Sequence, residues 1–197
     1  MGKFMEHATS VMKQYADKVA FLNEKREMTH GELDRESGQI YAWLKKQGIG
    51  REDFVQIVLP RGPECIAALM GVLRAGAAFL ISEKGYPEKR IEFMRRDAGA
   101  KIVLEEDTYR QILREEEPLP GYEETSPHDA AFACYTSGST GTPKGILHEY
   151  GTLDLMQHMV PLETSYGDNP HMLVTSMSFI LSFGNYSPAR DVRAKSG

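Results

Sequence analysis

From Val19 onward, short apolar runs alternate with longer amphipathic stretches, and few folds accept that order. Val19-Ala20-Phe21-Leu22 reads as a strand and residues 24–27 as a polar turn. Thr29 then opens a helix, with Glu32 completing a capping box, and Leu33, Ile40, Tyr41 and Leu44 share its inward face. Gly48 stops it. A strand over residues 54–59 leads to a helix over residues 63–75 that is apolar nearly all round, so it is expected to be buried on more than one side. Residues 77–81 form a third strand, and residues 87–98 a helix with Pro87 in its first turn. Gly99 ends that helix before a fourth strand, Ile102-Val103-Leu104. Strand–helix alternation of this kind implies an α/β fold, a mostly parallel sheet with helices on both faces.

Residues 114–129 hold six acidic residues and three prolines, which predicts a solvated connector. Beyond it, residues 131–135 read as a strand, residues 136–145 as a loop and Ile146-Leu147-His148 as a short strand. A helix over residues 151–159 and a strand over residues 172–175 follow. The net charge of -5 offers no electrostatic argument for nucleic acid or an anionic membrane as partner. No run is long enough for a membrane span, and Met1-Gly2-Lys3-Phe4-Met5-Glu6 has neither a signal-peptide core nor a myristoylation pattern. Cys65 and Cys134 lie in apolar surroundings, as buried reduced thiols do, and the expected location is cytoplasmic.

The chemistry concentrates in Tyr135-Thr136-Ser137-Gly138-Ser139-Thr140-Gly141-Thr142-Pro143-Lys144-Gly145. Its three glycines permit positive φ and let backbone N–H groups turn inward. Thr136, Ser137, Ser139 and Thr140 add hydroxyl donors, with Thr142 a fifth, and Lys144 adds a cation at the far end. Together these residues suit the oxygens of a polyphosphate. A Gly/Ser/Thr-rich surface turn is the bland alternative, and it does not account for a strand feeding straight into ten such residues with a Pro-Lys-Gly exit. The P-loop pattern G-x-x-x-x-G-K-[ST] fails, because Pro143 stands at its sixth position and Gly145 follows the lysine where Ser or Thr is required. The spacing of Gly138 and Gly141 also excludes a dinucleotide fingerprint.

This run resembles the signature phosphate-binding loop of the adenylate-forming superfamily: acyl-CoA synthetases, luciferases and the adenylation domains of nonribosomal peptide synthetases. Met28-Thr29-His30-Gly31-Glu32-Leu33 and Val72-Leu73-Arg74-Ala75-Gly76-Ala77-Ala78-Phe79 are similar to two further elements of that family. Tyr86-Pro87-Glu88-Lys89-Arg90-Ile91, with Asp97-Ala98-Gly99-Ala100, resembles the peptide-synthetase and D-alanyl-carrier-ligase branch. The resemblance covers residues 19–183. It implies a ligase that joins a small carboxylic or amino acid to ATP, with Mg2+, and passes the acyl group to a thiol of a carrier protein or coenzyme A. It also implies that Thr136, Ser137, Gly138, Ser139, Thr140, Gly141, Thr142, Lys144 and Gly145 hold the β- and γ-phosphates. His148 is expected to pack against the following helix rather than touch substrate.

Two departures qualify the resemblance. The family's amino-acid-activating members carry Phe-Asp-x-Ser after the loop, whereas this chain has Phe179-Ile180-Leu181-Ser182. Ile180 cannot pair with an ammonium group, so either the substrate pocket at Phe179 and Ile180 takes an acid without one, or another segment is the counterpart of that element. The family's adenine-binding segment, ribose-binding aspartate and C-terminal catalytic lysine also have no counterpart before Gly197. Residues 184–197 contain no Leu, Ile, Met or Phe and read as a polar tail to an incomplete N-terminal domain, residues 1–183. The expectation is therefore a synthetase fragment, inactive alone and prone to associate through exposed apolar surface. A non-catalytic module for a nucleotide phosphate or a partner subunit is the alternative.

Overall fold

A computed structural model describes residues 3–136, 143–159, 171–173 and 186–188, with side chains as far as Leu155. In chain order the elements are α1 (Lys3–Gln14), β1 (Val19–Leu22), β2 (Glu27–Thr29), α2 (His30–Lys46), β3 (Phe54–Val58), α3 (Pro63–Arg74), β4 (Ala78–Ile81) and α4 (Glu88–Asp97). Then come β5 (Ile102–Glu105), α5 (Glu106–Glu115), β6 (Ala130–Thr136), β7 (Lys144–Glu149), α6 (Tyr150–Met159), β8 (His171–Leu173) and β9 (Tyr186–Pro188).

The central sheet runs β5-β3-β4-β6-β7, with β3 parallel to β4 and β5, β4 parallel to β6, and β7 antiparallel to β6. A second sheet, β2-β1-β8-β9, pairs β1 with β8 in parallel and closes each end with an antiparallel partner. Three residues of the polar tail thus belong to a strand, β9.

Helices cover both faces of the central sheet, as the alternation predicts. On one face α2, α3 and α5 pack over Val55, Ile57, Phe79, Leu104 and Phe132 in a single apolar core. The α3 helix is buried on nearly all sides, which its all-round apolar sequence requires. It crosses α2 so closely that a Cβ on Gly71 would sit 2.5 Å from Ile40 Cγ2. On the other face α4, the one helix there among the described residues, seats Met94 on Leu80 and Tyr135. A groove of about 870 Å³ lies beside it, lined by Gln56, Phe93 and Val103 among others.

The capping box is present in full: Glu32 N–H donates to Thr29 Oγ1 at 3.1 Å, and Thr29 N–H to Glu32 Oε2 at 2.8 Å. Gly48 and Gly99 take positive φ, 72° and 64°, at the two helix ends assigned to them.

The connector is largely solvated, as read, with only Thr125 and Asp129 buried, but it is tied to the fold at several points. Its first residues, Arg114 and Glu115, close α5. Gln39 Nε2 then donates to the carbonyls of Leu113 and Glu116, and Glu123 accepts from Tyr41 Oη at 2.6 Å and Lys45 Nζ at 2.5 Å. Asp129 is buried and takes a bidentate pair from Arg51, both contacts at 2.7 Å. Glu116, Glu123 and Asp129 thus serve tertiary contacts to α2 and the α2–β3 turn, while Glu115, Glu117 and Glu124 are exposed.

Candidate functional site

The β6–β7 hairpin carries the loop. Ala130, Ala131, Phe132 and Tyr135 bury β6 in the sheet, and Thr136 emerges exposed at its end. The chain returns at Lys144, directly opposite Thr136, with Gly145 opposite Tyr135 and Leu147 opposite Ala133. Thr136 and Lys144 therefore stand side by side at the tip of a paired stem. Lys144 is exposed and forms no ion pair with any described residue. Ser137, Gly138, Ser139, Thr140, Gly141 and Thr142 lie outside the described residues, as do Phe179 and Ile180.

Gly145 sits in a strand rather than at a positive-φ turn, so its lack of a side chain serves clearance instead. A Cβ there would lie 3.0 Å from Tyr135 Cζ and 3.2 Å from its hydroxyl oxygen. With that space open, the Tyr135 ring lies across Gly145, and its hydroxyl donates to Asp97 Oδ2 at 2.8 Å and lies 3.3 Å from the Met94 carbonyl oxygen. Burial, reinforced by the Asp97 carboxylate, pushes the Tyr135 phenol well above its ordinary value, so it stays protonated as the donor. Sequence reasoning missed this pairing. The available signal was a tyrosine immediately before the loop together with an aspartate in a second family-like run.

His148, expected to pack against the following helix, stacks its ring instead on Phe132 of the neighbouring strand. The centroids are 4.5 Å apart and the planes 16° from parallel. Burial lowers the His148 pKa below the ordinary imidazole value. Both thiols are free, and burial pushes Cys65 up to about 12 and Cys134 up to about 11, which disfavours the nucleophilic thiolate. Among the described residues no group of three or more His, Cys, Asp or Glu side chains is arranged to hold a metal ion, and no helix is long and apolar enough to cross a membrane.

Known proteins bear on this hairpin and its sheet. One of the linear gramicidin synthase proteins of Brevibacillus parabrevis is 31% identical over 166 residues, 75% of this chain and 3% of that protein. A probable non-canonical nonribosomal peptide synthetase of Salinispora arenicola, CymA, is 34% identical over 165 residues, 83% of this chain and 2% of its own length. Among solved structures, the N-terminal subdomain of Klebsiella oxytoca NpsA in complex with 3-hydroxyanthranilyl-AMSN superposes with a TM-score of 0.77 at 22% identity, over 91% of this chain and 48% of that one. The chain thus spans a few per cent of these curated relatives and about half of that subdomain. Its fold is that of the N-terminal subdomains of adenylate-forming enzymes. The family model for AMP-binding enzyme matches residues 8–189, which takes in both sheets and the whole β6–β7 hairpin, and the chain belongs to that family.

Proposed function

We propose that this chain is the polyphosphate-gripping portion of an ATP-dependent ligase that activates a small carboxylic or amino acid as its adenylate and passes it to a thiol. The observation that carries the reading is the hairpin stem, where Thr136 and Lys144 stand opposite each other on strands tied into the central sheet. Between them runs a sequence of hydroxyls and glycines suited to phosphate oxygens. In this role Thr136, Ser137, Gly138, Ser139, Thr140, Gly141, Thr142 and Lys144 contact the β- and γ-phosphates, and Gly145 keeps the stem close-packed. Lys144 offsets the charge that gathers on the pyrophosphate as the acid attacks the α-phosphorus. Mg2+ enters bound to the nucleotide, whose phosphates supply oxygen ligands.

The NpsA N-terminal subdomain of the same fold holds 3-hydroxyanthranilyl-AMSN, and a further structure of that fold, of the nonribosomal peptide synthetase FmoA3, holds AMPPNP. The acceptor thiol is assigned to a carrier protein, by analogy with the peptide synthetases among the relatives and with the fused adenylation–carrier di-domain NpsA-ThdA.

The test is acid-dependent exchange of labelled pyrophosphate into ATP. The chain alone is expected to give none. Adding a polypeptide that supplies the downstream part of a related adenylation domain is expected to bring exchange with at least one acid. ATP binding that never gives exchange with any complementing partner would favour a nucleotide-binding module and overturn the ligase reading.

A further inference from the structure

We propose that Tyr135 and Asp97 are positioning residues for Lys144, acting through the hairpin stem. This rests on the assignment of Lys144 to the polyphosphate. Four observations meet at one place. The Tyr135 side chain is 6% exposed and its hydroxyl is anchored to the C-terminal turn of α4, on Asp97 Oδ2 and beside the Met94 carbonyl. The Tyr135 ring fills the space where a side chain on Gly145 would be. Gly145 is the residue next to Lys144, and Tyr135 is next to Thr136, the strand partner of Lys144. On this face of the sheet α4 is the one helix among the described residues, so the hydroxyl ties the stem to the helix that supports that face.

The physical consequence follows from the position of the stem. The outer strand β7 has β6 as its only strand partner among the described residues, and its side chains are largely exposed. An edge strand of that kind is held mainly by its ladder and by whatever packs on it. The Tyr135 ring is that packing at the level of Gly145, and the bond to Asp97 sets where the ring lies. A displaced ring lets the backbone at Gly145 shift, and the Lys144 ammonium moves with it. Loss of even about 1 Å of placement weakens a point-charge contact to phosphate.

The experiment uses the full chain with Tyr135→Phe, Asp97→Ala, Asp97→Asn, Lys144→Ala and the Tyr135→Phe/Lys144→Ala double variant. ATP affinity is read by calorimetry and backbone amide exchange at Thr136, Lys144 and Gly145 by NMR. Tyr135→Phe and Asp97→Ala are each expected to weaken ATP binding roughly five- to tenfold. Asp97→Asn keeps an acceptor oxygen and is expected to stay within about twofold of wild type. Once Lys144 is alanine, Tyr135→Phe is expected to cost nothing more, a dependence that a general loss of stability would not produce. Wild-type affinity in Tyr135→Phe, or an equal loss with and without Lys144, would overturn the proposal. If the wild-type chain binds no ATP even with the downstream polypeptide of the pyrophosphate-exchange test added, the phosphate reading itself fails. The positioning role is then judged on exchange alone: faster exchange at the three amides in Tyr135→Phe supports it, and unchanged exchange refutes it.

Discussion

His148 on β7 stacks against Phe132 on β6, which stacks in turn on Phe79 of β4 with centroids 5.6 Å apart. The three rings form a ladder across the sheet on the face that α3 covers, and the imidazole is its outermost rung. Burial disfavours the charged imidazole there, so its folded-state pKa lies below the ordinary value of 6.5. The unfolded chain then binds the proton more readily than the folded one. The neutral ring's contribution to stability is complete above about pH 6.5 and is lost as the pH falls toward the lower folded-state value. Urea unfolding between pH 5 and pH 8 is expected to show wild type losing stability on acidification relative to His148→Phe. Parallel pH profiles for the two proteins would remove the effect.

The close crossing of α2 and α3 makes a sharp prediction. Gly71→Ala would place its Cβ 2.6 Å from Ile40 Cβ, and neither helix backbone can yield cheaply. We expect a loss of about 1–3 kcal/mol in urea unfolding. Gly50→Ala, with open space around the added methyl, is expected to be within about 0.5 kcal/mol of wild type.

A buried carboxylate links three elements. Glu36 on α2 is 1% exposed and pairs with Arg26 Nη2 at 2.5 Å, with Arg35 at 3.2 Å and with the Tyr109 hydroxyl from α5. Glu36→Ala would leave Arg26 and Tyr109 without their shared acceptor, so it is expected to cost about 3 kcal/mol or more. Tyr109→Phe removes one donor and keeps the ion pairs, and about 1 kcal/mol is expected. Comparable losses for the two variants would argue against a carboxylate-centred network.

Much of this architecture was legible in the sequence because it is written in local signals. Thr29 and Glu32 announce a helix start, Gly48 and Gly99 mark helix ends, and the apolar runs at β3, β4 and β5 have the length and composition of buried parallel strands. Two helices escaped notice. In α5, Tyr109 and Ile112 face inward but sit among charges that mask the periodicity. In α1 the buried face of Met5, Thr9, Val11 and Met12 is similarly interrupted by polar residues. The two strands of the stem were legible as apolar runs on either side of a Gly/Ser/Thr loop, but their antiparallel pairing, and the start of β7 at Lys144 rather than Ile146, were not. Nor was the anchorage of the stem. Asp97 and Tyr135 are 38 residues apart, and no local rule pairs them.

Exposed apolar side chains point to self-association. Ile146, Leu147 and Leu155 are 47%, 56% and 67% exposed, on β7, which has one strand partner among the described residues, and on the helix that follows it. Light scattering is expected to show dimers or larger species of the chain, and Leu147→Lys with Leu155→Lys to shift them toward monomer. A monodisperse wild-type monomer at high concentration would contradict this.

The central claim is that the β6–β7 hairpin grips ATP through its phosphates, and titration of ATP into wild type and Lys144→Ala, each complemented by the downstream polypeptide, tests it most directly. The variant is expected to bind more weakly by about 1.5–3 kcal/mol, the worth of one charge-assisted bond to phosphate in an otherwise intact fold. Equal affinity in the two proteins, with unchanged thermal stability, would contradict it.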